Sequence, residues 1–449
     1  MINADSRAQQ QQRGQDYRAD SALAALRHHS APLISIIGLL AGLAATLYRL
    51  NKTAAPVDMV IYRQGIDAFL HGREMYSEPM FAGDLALPFI YPPFGALFMS
   101  PLNLIPGIDD TLAGRIIIAI SNALLLLCLW LVWRWLLNEP GAQRWALPAA
   151  AVSWAFALIS EPVELNHSFA QINMIVMALV VLDLVPRKRR LPQGWLIGIA
   201  AAIKLTPLAM LLYFLLRKDF RALVTAGVSA TIATLLAALV RFDATWEFYG
   251  ARLLGMGSGG DFGVNTSYQS NSSWRGMIQR WFTNEQALDD ASTLVTVIWA
   301  VLVVATIIAG GWIMVQLLRR GYLVDAWLIN ALVMLLISPV SWSHHWVWLA
   351  IAMPVWTWRA LTTRDYGLTV LVGLWSAVLV FLEQPPKWWY GDAIEVHALS
   401  FWPKFFISDF VWLSVATLVV IALACRRQGQ ASQAAASSST STVAAADAA

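Results

Sequence analysis

Long apolar stretches recur along most of this chain, with short polar connections between them. A helix needs about 20 apolar residues to cross a hydrocarbon layer of about 30 Å. Ten stretches approach or meet that length, and they are residues 33–49, 112–136, 146–160, 172–185, 221–240, 293–318, 323–338, 346–359, 367–382 and 405–425. The pattern therefore predicts an all-α polytopic membrane protein.

Two further apolar segments do not fit as full crossings. Residues 90–106 are interrupted by proline, and residues 193–216 lie between basic clusters and provide only about 24 residues, too few for two crossings. We interpret both as hairpins or short broken helices that dip into the membrane. The chain then has 10–12 transmembrane or partly inserted helices, depending on whether these two segments are counted.

The distribution of lysine and arginine predicts the orientation in the membrane. Clusters of basic residues lie in every second connection between the apolar stretches. If both termini are cytoplasmic, every one of these clusters is cytoplasmic too. The predicted parts are a cytoplasmic N-terminal arm at 1–30, a multi-span domain at 31–425 and a cytoplasmic tail at 426–449. The Ala- and Ser-rich tail should be disordered. The larger extracytoplasmic loops are 50–111, 241–292 and 383–404, and most acids and histidines lie on that side.

Composition excludes several classes of protein. Hydrophobic residues make up 58% of the 449 residues and charged residues 13%, whereas about a quarter of an ordinary soluble domain is charged. A net charge of +3 without a basic patch argues against nucleic acid as a partner. Cys128 and Cys425 are far apart in apolar segments, so they form no metal-ligand set, and the sequence indicates no metal or other cofactor.

The first extracytoplasmic loop contains a candidate catalytic group. Asp58, Tyr62 and Arg63 follow the first apolar stretch within one or two helical turns. A carboxylate beside a guanidinium suits a general base next to an anion clamp. The alternative is that Asp58 caps a helix and Arg63 snorkels at the membrane surface, and spacing alone slightly favours it.

Polar residues inside or beside later apolar stretches are also candidates. Gln171 and Asn173 offer amides to sugar hydroxyls, or else join neighbouring helices. Lys204 lies in the middle of an apolar run, where a charge is costly, so we favour a functional site with an anionic partner over a snorkelling lysine. His344 and His345 lie at the outer face between two stretches, where they are either site residues or part of an interfacial aromatic belt.

The 241–292 loop begins with a glycine-rich part at 255–260. This part lacks the Lys-Ser/Thr ending of a phosphate-binding P-loop, and we interpret it as a flexible lid. Asn271 follows in a stretch that fits an N-glycosylation acceptor pattern, a match that also occurs by chance.

Taken in chain order, these motifs resemble those of glycosyltransferase family 87, polytopic membrane enzymes that take mannose from polyprenyl-phosphate-mannose. The resemblance extends over residues 58–345. It consists of Asp58-x3-Tyr62 with Gly72-x3-Tyr76, Tyr91-Pro-Pro, Gln171-x-Asn173, Lys204-Leu-Thr-Pro207, Asn271-x-Ser273 with Gly276 and Arg280, and Ser338-Pro-x-Ser-Trp342-x-His344-His345. Met59 stands where some other GT-C families have a second acid, so a single carboxylate is expected.

The resemblance implies a GT-C fold and an inverting mannosyltransferase of the plasma membrane that works on the extracytoplasmic face. Its donor would be polyprenyl-phosphate-mannose and its acceptor a lipid-linked glycan of the cell envelope, a phosphatidylinositol mannoside or lipomannan. Asp58 would be the general base. We expect the donor phosphate at Lys204, His344, His345 and Arg63, and sugar or acceptor contacts at Tyr62, Gln171, Asn173 and Asn271. The aromatics at 388–390 either stack on sugars or anchor the protein, and we favour anchoring.

Two other functions remain open from the sequence. A transporter or flippase of a lipid-linked saccharide would also have an intramembrane lysine and broken helices, but its polar groups should lie on both faces of the membrane. A structural subunit of an envelope-assembly complex would tolerate loss of Asp58 and Lys204.

Overall fold

The computed structural model describes residues 30–253 and 264–446, with side chains up to residue 427. Apart from Ser30, the predicted N-terminal arm lies outside the described residues, as do the glycines of the predicted lid. Within the described ranges six helices are long and apolar enough to cross a membrane: Ser30–Lys52, Asp110–Leu136, Phe220–Val240, Ser292–Arg319, Tyr366–Trp388 and Asp409–Arg427. A bent pair, Gln143–Ala157 with Glu161–Ser168 at 66°, makes a seventh if it counts as one span.

The shorter elements complete the described parts of the chain. The α-helices are Val57–His71, Pro93–Met99, Pro101–Leu104, Ala146–Ala157, Glu161–Ser168, Asn173–Leu184, Trp195–Ile203, Leu211–Leu216, Phe242–Glu247, Trp274–Arg280, Glu285–Asp290, Leu323–Ile337, Leu349–Thr363 and Phe401–Phe406. The 3-10 turns are Gln143–Trp145, Thr206–Met210, Ser343–Trp348, Pro386–Trp388 and Val396–Ala398, and π turns occupy Phe248–Arg252 and Ala377–Phe381. One β-hairpin pairs Met80–Ala82 antiparallel with Leu85–Leu87.

The all-α polytopic class predicted from the sequence is confirmed, but fewer segments are full-length spans. The predicted stretches at 172–185 and 323–338 form helices of only 12 and 15 residues. Leu323–Ile337 is buried along nearly all of its length, whereas Phe220–Val240 exposes many large apolar side chains. Both kinds of helix are apolar, because one packs in the protein core and the other presents the apolar face suited to lipid, so hydropathy alone does not separate them.

The two segments predicted as broken helices are broken in the structure. Residues 90–106 form two short helices that meet at Ser100, and the Trp195–Ile203 helix ends at Lys204, which has extended backbone angles (φ −149°, ψ 129°). Gly95 lets the two segments touch, because a Cβ there would lie 2.8 Å from the Ile203 carbonyl oxygen. The end of the Trp195–Ile203 helix, and with it Lys204, is thereby held against the segment that follows Tyr91.

The last helix begins inside the predicted multi-span domain and continues into the predicted tail. It runs from Asp409 to Ala446, and the disorder expected for residues 426–449 stays a prediction. Alanine has the highest helix propensity of the amino acids, and this tail is rich in it. An Ala-rich sequence can therefore continue an existing helix although it has no apolar stripe of its own.

Candidate active site

Most of the candidate residues line one cavity of about 960 Å³. Its volume is at the upper end of the range of about 300–1,000 Å³ usual for ligand pockets. It collects side chains from the start of the Val57–His71 helix, the loop before Pro93–Met99, the break at Lys204 and the Ser343–Trp348 turn. The candidates in its wall are Asp58, Tyr62, Gln171, Lys204, His344 and His345.

Asp58 lies in the first turn of the Val57–His71 helix and its side chain does not cap the helix, which starts after Pro56. Its carboxylate Oδ2 instead accepts a hydrogen bond from Gln171 Nε2. Burial raises the pKa of the Asp58 carboxyl from 3.8 to about 6, against the opposing effects of that hydrogen bond and of the Lys204 charge. A carboxylate with such a pKa, facing a cavity, can accept a proton near neutral pH.

Gln171 is held in place by two tyrosines. Tyr62 and Tyr91 both donate hydrogen bonds to Gln171 Oε1, at 2.6 and 3.1 Å, and their own hydroxyl oxygens are 2.7 Å apart. Because the amide oxygen is occupied by these donors, the NH2 group is directed at Asp58. Tyr91 is thus part of the site, although the sequence analysis gave it only within the Tyr91-Pro-Pro motif and not as a candidate site residue.

The direct hydrogen-bond partners of Lys204 are neutral groups. Its ammonium donates to Asn173 Oδ1 at 2.7 Å, to His345 Nε2 at 3.2 Å and to the Tyr91 hydroxyl at 3.4 Å. In the described parts of the chain no carboxylate lies within the 4.0 Å of a salt bridge to Lys204. The buried ammonium therefore retains its attraction for an anion that enters the cavity.

The two histidines differ in their hydrogen bonds. His345 Nε2 accepts from Lys204, which has no lone pair to offer, so this imidazole carries its proton on Nδ1. His344 packs between Phe169 and His345, at ring distances of 5.4 and 4.9 Å. Neither His344 ring nitrogen has a hydrogen-bond partner among the described residues. Since His344 lines the cavity, a ligand can supply that partner.

Arg63 does not lie in the cavity wall. It makes hydrogen bonds to Asp110 Oδ1 (2.7 Å), Asn103 Oδ1 (3.0 Å) and the Ile108 carbonyl (2.8 Å). Arg63 follows Asp58 by five residues on the same helix, so its side chain projects from a different face. Tyr62 follows Asp58 by four residues and shares its face. We therefore remove Arg63 from the expected phosphate site.

Asn271 is also a structural residue. Its Nδ2 donates to the carbonyls of Thr266 (2.8 Å) and Pro339 (3.2 Å), and its Oδ1 accepts from the Ser341 amide (2.9 Å). It is fully buried and does not line the cavity. The expected contact of Asn271 with sugar is replaced by a connection between two loops. Asn173 lies behind the wall, where it orients Lys204 and donates to the His344 carbonyl at 3.1 Å.

Sequence reasoning did not identify a second polar cluster in the same cavity. Glu161 lines the wall and accepts hydrogen bonds from Ser343 Oγ (2.7 Å) and Trp388 Nε1 (2.8 Å). Behind it, the fully buried Lys387 pairs with Asp409 at 3.1 Å. The available signal was a lysine inside an aromatic stretch, the same kind of signal that identified Lys204. Within the described residues, no group of three or more His, Cys, Asp or Glu side chains is arranged to hold a metal ion.

Comparison with known proteins adds independent evidence. The model of glycosyltransferase family 87 matches residues 89–339. The chain is 32% identical over 403 residues to the polyprenol-phosphate-mannose-dependent alpha-(1-2)-phosphatidylinositol mannoside mannosyltransferase of Mycobacterium tuberculosis, an alignment that covers 86% of this chain and 90% of that protein. The protein of the same name from Mycolicibacterium smegmatis is 31% identical over 390 residues, 83% of this chain and 85% of its own.

A polyprenol-phosphate-mannose-dependent alpha-(1-2)-phosphatidylinositol pentamannoside mannosyltransferase of Mycolicibacterium smegmatis is also similar. It is 31% identical over 383 residues, which cover 80% of this chain and 85% of that protein. The alignments therefore extend over most of both partners, beyond the motifs of the cavity.

Proposed function

Because the chain belongs to glycosyltransferase family 87, we propose that it transfers mannose from polyprenyl-phosphate-mannose to a phosphatidylinositol-mannoside acceptor. One observation carries this proposal: a single cavity presents the Asp58 carboxylate and the Lys204 ammonium, connected through Gln171 and Tyr91. The first suits removal of a proton from a sugar hydroxyl, and the second suits a leaving phosphate.

The reaction is a direct displacement at the anomeric carbon of the donor mannose. The acceptor hydroxyl oxygen forms the new bond to that carbon while its proton moves to Asp58 Oδ. The bond from the anomeric carbon to the phosphate oxygen breaks, and its electron pair leaves with the phosphate. Because the acceptor oxygen attacks directly, from the side opposite the leaving phosphate, the anomeric configuration is inverted.

The leaving phosphate lies at the Lys204 end of the cavity. The Lys204 ammonium stabilises the charge that develops on the phosphate oxygen, in a site with little competition from water. His344 has free ring nitrogens and can donate one hydrogen bond to the same phosphate. Tyr62 and Gln171 position the donor sugar relative to Asp58, the general base.

We further propose that the cavity opens on the extracytoplasmic face of the plasma membrane. Its lining residues Asp58, Tyr268 and Trp388 come from the loops 50–111, 241–292 and 383–404, which the basic clusters assign to that side. Polar groups concentrated on one face support an enzyme over a transporter or flippase, which needs access from both faces.

The test is an assay with purified protein, radiolabelled polyprenyl-phosphate-mannose and phosphatidylinositol mannosides. We expect labelled, elongated acceptor lipid, and in Asp58→Asn a rate lower by about 10²- to 10⁴-fold, because the amide cannot take the proton. Asp67→Asn is the matched control, since Asp67 is on the same helix and pairs with Arg73 outside the cavity wall. Transfer by Asp58→Asn within a few-fold of wild type would contradict the assignment. Movement of an intact lipid-linked saccharide across vesicles without transfer would favour the flippase.

A further inference from the structure

The part of the cavity wall around Glu161 is chemically different from the part around Lys204. Glu161 Oε1 accepts from Ser343 Oγ at 2.7 Å and from Trp388 Nε1 at 2.8 Å, and Oε2 accepts from Ser343 Oγ at 2.9 Å. Among the described residues no lysine, arginine or histidine nitrogen is within salt-bridge distance of this carboxylate. Each carboxylate oxygen can accept about two hydrogen bonds, so Oε2 in particular has capacity left for a ligand.

The cation nearest to Glu161 is already paired. Lys387 Nζ lies 3.1 Å from Asp409 Oδ1 and donates to Ser272 Oγ at 3.0 Å and Ser343 Oγ at 3.1 Å. The Ser343 hydroxyl therefore lies between the lysine and Glu161, because it accepts a hydrogen bond from Lys387 and donates its own to the Glu161 carboxylate. Glu161 lines the cavity, and within the described residues no cation contacts it directly. Such a carboxylate accepts hydrogen bonds from neutral hydroxyl groups and repels phosphate.

Aromatic side chains also line this cavity. Trp342, Trp388 and Tyr268 all line the cavity, and the Tyr268 ring lies 6.0 Å from the Trp342 ring and 6.2 Å from the Trp388 ring. The Tyr268 hydroxyl donates to Asp392, which is also in the cavity wall. A hexose has apolar C–H faces and a rim of hydroxyls, and aromatic faces beside carboxylates match both features.

We propose that Glu161, Trp388 and Tyr268 form a carbohydrate subsite that holds the neutral glycan of the acceptor. This inference rests on the proposed mannosyltransferase function and specifies where the acceptor sugars bind. The donor contributes one hexose, attached directly to a phosphate that the Lys204 ammonium attracts. The acceptor contributes several neutral sugar or inositol rings, and these suit the part of the wall around Glu161, where the nearby Lys387 is already paired with Asp409.

The test compares Glu161→Gln and Trp388→Leu with wild type in steady-state kinetics and in equilibrium binding of a phosphatidylinositol mannoside without donor. A hydrogen bond to a charged group is worth about 10- to 100-fold in affinity, so we expect the acceptor KM to rise about 10-fold or more. The donor KM should stay within twofold. Trp388→Phe keeps an aromatic face but loses the N–H that orients Glu161, and its acceptor KM should fall between wild type and Trp388→Leu.

Trp389→Leu is the matched control, because Trp389 is the next residue, is half exposed and lies outside the cavity wall. It should leave both KM values unchanged. An acceptor KM within twofold of wild type in folded Glu161→Gln and Trp388→Leu would overturn the subsite. So would a rise confined to the donor KM, which would place the donor sugar here, or a fall in kcat alone, which would make Glu161 a participant in the chemistry.

Failure of the proposed function gives a different result. If the wild-type protein transfers no mannose, the proposed reaction is wrong. The binding measurement without donor still tests the carbohydrate subsite. Should Glu161→Gln not fold, as judged by its thermal unfolding, the three tryptophan variants decide.

Discussion

Asp58 is the residue whose protonation controls the proposed reaction, and its environment sets the pH at which it works. Its pKa is raised to about 6 by burial. The carboxylate form, which is the base, is therefore lost as the pH falls through 6 and is fully present above it. We expect kcat/KM to be level above about pH 7 and to fall about tenfold for each pH unit well below 6.

This prediction is checked by measuring kcat/KM between pH 4.5 and 8 with wild type and with Asp58→Asn, on the timescale over which the protein stays folded. The residual rate of Asp58→Asn should lack the inflection near pH 6. The same inflection in Asp58→Asn would assign it to another group and remove the support for Asp58 as base.

Lys204 makes a second prediction at the scale of a residue. Lys204→Met keeps the length and the apolar stem but removes the charge, so affinity for a non-reactive polyprenyl-phosphate analogue should fall at least about 10-fold. Acceptor affinity should change by less than twofold. The control is Lys188→Met, since Lys188 is exposed in a cytoplasmic turn of the proposed topology. Unchanged analogue binding in Lys204→Met would contradict a phosphate at this position.

Residue type predicted part of the site and could not predict the rest. Lys204 stood out because a charge is costly among apolar residues. Asp58 and the histidines stood out as ionisable groups at the outer ends of apolar stretches, and the structure places all of them in one cavity. Arg63 and Asn271 had equally suitable chemistry, but their hydrogen-bonding groups are used by Asp110 and by loop carbonyls. Which partner a polar group finds depends on long-range packing, which spacing in the sequence does not contain.

At the scale of elements, Arg63 connects the Val57–His71 helix to the start of the Asp110–Leu136 helix through Asp110 and the Ile108 carbonyl. Arg63→Met should therefore lower the free energy of unfolding by about 1–3 kcal/mol. This range already allows for the partial exposure of the Arg63–Asp110 ion pair, which weakens it. Donor KM should not change. Arg190→Met, at an exposed arginine, should alter neither property.

Thermal unfolding in detergent and donor kinetics measure the two effects of Arg63→Met separately. Unchanged stability together with a raised donor KM would return Arg63 to the phosphate site. That the two segments at 90–106 and 193–216 are interrupted was predictable from proline and from the basic clusters. The contact between them at Gly95 was not, because it depends on long-range packing.

At the scale of the whole molecule, the proposed topology places the cavity outside and both termini inside. Native Cys128 and Cys425 are buried, so single introduced cysteines report on their own positions. With a membrane-impermeant maleimide on intact cells, Glu285→Cys should be labelled, and Lys188→Cys only after permeabilisation. Both positions are exposed in the structure. The opposite labelling pattern would invert the topology and exclude an extracytoplasmic site.

The lack of a direct ion pair at Lys204 has a consequence for the end of the catalytic cycle. Within the described residues no carboxylate lies within salt-bridge distance of its ammonium, so a bound ligand phosphate would be its closest anion. The donor is a phosphodiester with one negative charge, whereas the spent polyprenyl phosphate is a monoester with a charge of about −1.5 to −2 at pH 7. The spent carrier should therefore be held more tightly than the donor it came from. We expect it to be a competitive product inhibitor, with its release, and not bond breaking, limiting turnover.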